Sequence, residues 1–299
     1  MSTELKDKTY VLTGATSGIG LAAAHILAGQ GAFLIGVGRS AGRCSQAESE
    51  LRSVHPEAHV EYCVADLSLQ TQVRRLAAEI RAKLAAHRIN SLDGLINNAG
   101  TFTYRMAITQ EGFEMQWAVN HLAPFLLTHE LLPLLQAGQT GRVVTVSSGS
   151  HYHTHLKWND LQLRRGYNGL LAYKQTKLAT VLFTAELNRR LGSHSSVRAF
   201  AADPGLVFTE MGFKGNPRLV RWIWDLRRRS GVTPQESARG VIYLATEPSI
   251  QNATQIYWKD SHPKAPNPYA LNEEAARRLW DLAEQECGIE PGKYVSLQG

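Results

Sequence analysis

Tyr173 and Lys177 stand four residues apart in LAYKQTKLATVLFTAELNRRL, residues 171–191. Leu178, Val181, Leu182 and Ala185 recur at helical spacing through the same stretch. It therefore reads as one amphipathic helix, with both polar side chains leaving one face near its N-terminal end. A phenol beside an ammonium is a proton-transfer pair. The positive charge favours phenolate, so the Tyr173 pKa is expected to fall from its ordinary value of about 10. The same spacing also suits a half-buried ring beside a solvated amine, and the rest of the chain must decide between the two.

The elements that would position such a pair read in order along the chain. Residues 10–13 form a short buried strand running into Thr13-Gly14-Ala15-Thr16-Ser17-Gly18-Ile19-Gly20, then an Ala-rich helix over 21–28. Strand, glycine turn and helix make a phosphate cradle: the glycines let the backbone approach a pyrophosphate, and the helix end offers free N–H groups and partial positive charge. Gly14, Thr16, Ser17, Gly18, Ile19 and Gly20 are the candidate contacts. The second strand, 32–37, ends in Gly38-Arg39-Ser40 with no acidic residue for a ribose. Arg39 can fork onto a phosphate, which predicts NADP(H) rather than NAD(H).

A helix over 47–54 and a third strand over 59–64 lead to Asp66 and Leu67. Asp66 either accepts a hydrogen bond from the adenine amine or caps the next helix, 70–86. The fourth strand, 93–96, ends in Asn97-Asn98-Ala99-Gly100, small residues suited to a cofactor resting on that edge. Residues 111–135 read as a long apolar helix with Asn120 at its middle, an unfavourable place for Asn unless its side chain has a function. The fifth strand, 141–148, ends in Ser147 and Ser148, and the sixth, 197–202, in Asp203-Pro204-Gly205. This alternation predicts a parallel sheet covered on both faces.

These motifs, in this order and at these spacings, resemble the short-chain dehydrogenase/reductase family in its main Rossmann-fold branch, over roughly residues 6–286. The resemblance implies a doubly wound Rossmann fold, a seven-stranded mainly parallel sheet in the order 3-2-1-4-5-6-7. It implies that Tyr173 is the general acid/base and that Lys177 holds the nicotinamide ribose and lowers the Tyr pKa. Ser148, the second of its pair, would hold the substrate oxygen, and Asn120 would anchor a water in a proton relay. Asp66, Leu67, Asn98, Ala99 and Gly100 would line the cofactor, and Pro204, Gly205, Val207 and Thr209 would clasp the nicotinamide amide. Thr145 stands where the family often has Asn. The stretches NDLQL at 159, TPQESARG at 233 and PNPYALNEEAARRLWDLAEQECG at 266 look like the retinol dehydrogenase-like branch, near the WW-domain oxidoreductases. Lipophilic alcohols and carbonyls are the implied substrates. The N-terminal hydrophobic anchor common in that branch is lacking, and the helix at 171–191 implies a homo-oligomer, dimer or tetramer.

Length and composition bound the reading. A chain of 299 residues, 43% hydrophobic and 19% charged, suits one large α/β domain over 1–299. The net charge of +6 gathers around Arg218, Arg221, Arg227, Arg228 and Arg229, without a nucleic-acid motif. Cys44, Cys63 and Cys287 are scattered, the N-terminus MSTELKDKT is polar, and no stretch is long enough to span a membrane, so a reduced, cytoplasmic protein without a signal peptide is expected. Residues 206–231, with Phe213, Trp222, Ile223 and Trp224 among the arginines, are expected as a substrate-covering lid or a packed helix, with membrane-surface contact as the rival. A C-terminal helical extension is expected at 271–287. His151, His153 and His155 alternate and would share one face of an extended segment. Pocket lining or a solvated loop is expected of them, and no metal, since the chemistry needs none. The leading expectation is an NADP(H)-dependent oxidoreductase. A non-catalytic dinucleotide sensor and a nucleotide-sugar epimerase or dehydratase are the alternatives.

Overall fold

The computed structural model describes residues 4–205 and 232–293. The sheet comprises β1 (Thr9–Thr13), β2 (Phe33–Gly38), β3 (Val60–Val64), β4 (Gly94–Asn97), β5 (Gly141–Val146), β6 (Val197–Asp203), β7 (Tyr257–Lys259) and β8 (His262–Pro263). Their spatial order is β3-β2-β1-β4-β5-β6-β7-β8. All neighbours are parallel except β7 and β8, which pair antiparallel. The seven expected strands thus take their expected order, and β8 is an eighth. It is two residues long and includes Pro263, too short to leave a periodic signal. Every residue of β1, β2 and β5 is buried, as in a sheet covered on both faces.

One face carries α1 (Gly18–Gly29), α2 (Ala41–Val54) and α7 (Pro234–Thr246) over a core that includes Leu12, Leu27, Leu34, Leu51 and Val241. The other carries α3 (Gln70–Ala86), α5 (Ala123–Gln136), α6 (Gly169–Leu191) and α8 (Glu273–Glu286) over Val11, Leu76, Phe125, Leu182 and Trp280. The three cysteines are free thiols buried within this packing.

The helix expected over 111–135 starts later. A single turn, α4 (Met115–Trp117), is capped by the Glu114 carboxylate accepting the Trp117 N–H at 2.7 Å. A π-helical turn at Ala118–Leu122 follows, and α5 continues from Ala123. Glu111 lies outside and caps a different helix. Its carboxylate accepts the N–H groups of Gln70 at 2.6 Å and Thr71 at 3.1 Å, at the start of α3. That assignment removes the capping role from Asp66, whose side chain accepts the nearby Ser68 N–H at 3.0 Å while Leu69 occupies the N-cap position.

The last helix, α8, spans Glu273–Glu286. Within it, Trp280 stacks on Phe183 of α6, centroids 5.9 Å apart, and meets Phe125 edge-on at 5.0 Å. Arg190 lies over the same indole at 4.5 Å. The second half of α6 therefore packs against the chain's own α8.

Candidate active site

Strand order reverses between β1 and β4, and the crevice at their C-terminal ends is where an open α/β sheet binds ligands. The glycine turn after β1 is shaped for close approach. Gly14 lies in the left-handed region at φ +68°, and a Cβ on Gly20 would sit 2.1 Å from the Gly14 carbonyl oxygen. Asn98 stitches this turn to β4. Its amide donates to the carbonyl oxygens of Thr13 at 2.9 Å and Gly14 at 3.3 Å. The Thr13 hydroxyl in turn accepts the N–H groups of Asn98 and Ala99 at 3.1 and 3.0 Å. Tyr62 supports the turn from below, donating to the Ala15 carbonyl at 2.8 Å.

Ser17 is the N-cap of α1 but its hydroxyl makes no capping bond, which leaves the first N–H groups of that helix open. Arg39 stands exposed at the end of β2, next to Ser40, the N-cap of α2. Asp66, Leu67, Asn98, Ala99 and Gly100 are half-buried beyond the C-terminal ends of β3 and β4, and Pro204 and Gly205, also half-buried, follow β6. A cradle that a side chain would block, an open helix end and an exposed guanidinium fit a dinucleotide phosphate. Val207, Thr209 and the lid at 206–231 lie outside the described residues.

The Tyr173 pair sits on the first turns of α6, which is capped by Asn168, whose side chain accepts the Leu171 N–H at 2.9 Å. The Ser148 hydroxyl, just beyond β5, accepts the Ser150 N–H at 3.2 Å and lies near enough to the Tyr173 phenol to favour its ionised form. Phe102 packs edge-on against the Tyr173 ring at 5.8 Å. Ser147 points elsewhere. It is buried and donates to the Lys177 carbonyl at 2.9 Å. Of the two serines, Ser148 is thus the one beside the phenol. Asn120 is drawn in by α6 as well. Its carboxamide oxygen accepts the Thr101 N–H at 2.7 Å, and its NH2 donates to the Thr101 carbonyl at 2.9 Å and the Thr176 hydroxyl at 3.1 Å. The side chain is thus a tie between the strand-end loop and α6.

One electrostatic expectation is overturned. The Tyr173 pKa does not fall; burial pushes it up to about 12, opposed by the Ser148 hydrogen bond and reinforced by the charge of Asp203. Lys177 is itself buried, which brings its pKa down to about 8. Its ammonium donates to the Val146 carbonyl at 2.8 Å and lies 5.5 Å from the Tyr173 ring centroid. Desolvation outweighs attraction because Lys177 is buried with its amine turned to the β5 backbone and the Tyr173 ring is half-buried.

The three histidines do not line up. Gly149–His151 is a 3-10 turn and His153 has φ 55°, so the extended alternation is broken. His155 instead packs against Tyr269 and His153 against Tyr152. His151 is fully buried. Its Nδ1 donates to the Ser148 carbonyl at 2.8 Å and its Nε2 accepts the Asn267 N–H at 3.0 Å, an assignment fixed by those partners. Asn267 donates to the His151 and Thr154 carbonyls at 3.0 and 2.9 Å, stitching the C-terminal segment to the serine loop. The sequence signalled neither His151 nor Asn267 as a support of Ser148, because the contact spans 116 residues.

A family model described as short chain dehydrogenase matches residues 8–218. The human retinol dehydrogenase 14 is 37% identical over 298 residues, covering 95% of this chain and 88% of that protein. The human polyprenol dehydrogenase is 32% identical over 293 residues, covering 95% and 86%. A crystal structure of an uncharacterized protein from Mycobacterium paratuberculosis is 33% identical, with a TM-score of 0.75 over 96% of each chain. These names correct the expected cytoplasmic location. Retinol and polyprenol are water-insoluble isoprenoid alcohols that partition into membranes, so relatives named for them do not support a cytosolic reading. Among the described residues, no helix is long and apolar enough to cross a membrane.

Proposed function

Because the chain belongs to the short chain dehydrogenase family, retinol dehydrogenase-like in sequence, and is an oxidoreductase acting on CH–OH groups, we propose that it moves a hydride between NADP(H) and a lipophilic carbonyl or alcohol. What supports this reading is that Ser148 and Lys177 both lie close to the Tyr173 ring, Ser148 following β5 at the same C-terminal sheet edge where the glycine turn follows β1.

When bound, the dinucleotide supplies or accepts the hydride. Gly14, Gly18 and Gly20, with the open end of α1, hold its phosphates, and Arg39 selects a 2′-phosphate. Ser148 fixes the substrate oxygen, and Tyr173 gives it a proton during reduction or removes one during oxidation. Lys177 orients the ribose and, titrating nearer neutrality than an ordinary lysine, relays the proton. Asn120 keeps the first turns of α6 in register through Thr176. The half-buried Phe102 and the exposed Tyr104 and Leu170 offer an apolar approach to the phenol, in keeping with a lipophilic substrate.

The test is NADPH consumption with a panel of aliphatic, aromatic and isoprenoid aldehydes and ketones. Tyr173→Phe should lower turnover by roughly 10²–10⁴-fold while leaving NADPH binding intact. Tight NADPH binding without turnover across the panel would favour a dinucleotide sensor instead.

A further inference from the structure

β6 ends at Asp203, immediately before Pro204. A residue preceding proline is held extended, so this side chain leaves the sheet edge in a fixed direction. It is 6% exposed. One carboxylate oxygen accepts the N–H of Gly149 at 3.2 Å and the N–H of Gly205 at 3.1 Å. The other accepts the Tyr257 hydroxyl at 2.7 Å and faces the Lys264 ammonium at 3.8 Å. Gly149 directly follows Ser148, Gly205 opens the segment expected around the nicotinamide, Tyr257 belongs to β7, and Lys264 follows β8. A buried carboxylate is costly unless donors surround it, and here three do, with an ammonium close by.

We propose that Asp203 is a positioning residue, a buried carboxylate that holds the Ser148 loop in register with the Pro204-Gly205 loop. The inference deepens the oxidoreductase reading and rests on it for its kinetic consequences, though the clamp itself is structural. Two backbone N–H groups from different loops share one oxygen atom, so neither loop can shift without breaking its bond to Asp203. The charge also reaches the reacting groups. It faces Tyr173 on α6, His151 and Tyr152 after β5, Tyr257 on β7 and Lys264, and it opposes formation of phenolate at Tyr173. Asp203 therefore adds to burial, the larger cause, in favouring the protonated, donating form of the phenol, the form that serves carbonyl reduction.

Asp203→Asn, Asp203→Ala and Tyr257→Phe separate these effects in the full-length protein. Amide hydrogen exchange at Gly149 and Gly205 is read first. The Asn variant retains an oxygen acceptor and should keep both amides protected, as should Tyr257→Phe. The Ala variant should exchange at both roughly threefold to tenfold faster, the loss of one hydrogen bond at each. Unchanged protection in Asp203→Ala overturns the clamp. With turnover established, the midpoint of the alcohol-oxidation pH profile should fall in Asp203→Asn, raising the rate at pH 7 by about threefold, while Tyr257→Phe leaves it in place. Should Asp203→Ala not fold, Asp203→Ser takes its place, since its shorter side chain cannot bridge the two loops: faster exchange at Gly149 supports the clamp, and unchanged protection there overturns it. A wild-type protein without any carbonyl turnover defeats the oxidoreductase reading alone, because the exchange rates still judge the clamp.

Discussion

The Lys177 ammonium donates to the carbonyl oxygen of Val146 at 2.8 Å, fastening α6 to the last residue of β5. Two residues further along the chain lies Ser148. The amine thereby sets the distance between the element that carries the phenol and the strand end that carries the hydroxyl. Its burial also gives it a measurable titration.

Lys177 has a folded-state pKa of about 8 against an ordinary value of 10.5. Below pH 8 it is protonated in both states and the burial penalty is present in full. Between pH 8 and 10.5 the unfolded chain binds more protons, so stability rises with pH, by a total on the order of 3 kcal/mol. Urea melts at a series of pH values should show this rise in the wild type and its disappearance in Lys177→Met. Parallel pH profiles for the two proteins would contradict the burial of a charged amine.

Tyr173, held near 12, is protonated at neutral pH. Carbonyl reduction, which uses the protonated phenol, should change little between pH 6 and 8. Alcohol oxidation, which uses the phenolate, should climb throughout that range and beyond. Initial rates in both directions check this, and an oxidation rate that declines above pH 7 would refute it.

Arg39 supplies the exposed cation at the end of β2. Arg39→Ala should weaken NADPH binding by roughly tenfold to a hundredfold, the range of a charged hydrogen-bonded pair, and leave NADH binding nearly unchanged. Paired fluorescence titrations decide. Tighter NADH than NADPH binding by the wild type would end the case for phosphate selection.

The parts of the site that are legible in the sequence are those set by local chemistry. Gly14, Gly18 and Gly20 announce a tight turn because only a side-chain-free backbone fits there. Tyr173 and Lys177 announce a shared helix face because helical spacing is local. The ties that hold these parts in place are hidden. Glu111 caps α3 from 41 residues away, and Asp203 reaches Gly149 across 54. Nothing in the neighbouring sequence marks either carboxylate. The Tyr173 pKa departs from expectation for a related reason: helical spacing reveals a nearby amine but not the enclosure that desolvates both groups.

Trp280 is 1% exposed and wedged among Phe125, Phe183 and Arg190. Trp280→Ala should destabilise the protein by about 3–5 kcal/mol, the cost of emptying a large aromatic site. Equilibrium unfolding in urea measures it. A loss below about 1 kcal/mol would mean that α8 is only loosely laid on α6.

The short antiparallel pairing of β8 against β7 has a consequence for behaviour in concentrated solution. An open row of peptide groups at the rim of a sheet invites another chain to add itself there. Here that rim closes on a two-residue segment ending in Pro263, which has no N–H to offer, between the cationic side chains of Lys259 and Lys264. Strand-by-strand polymerisation from this end is disfavoured by covalent structure and by charge together.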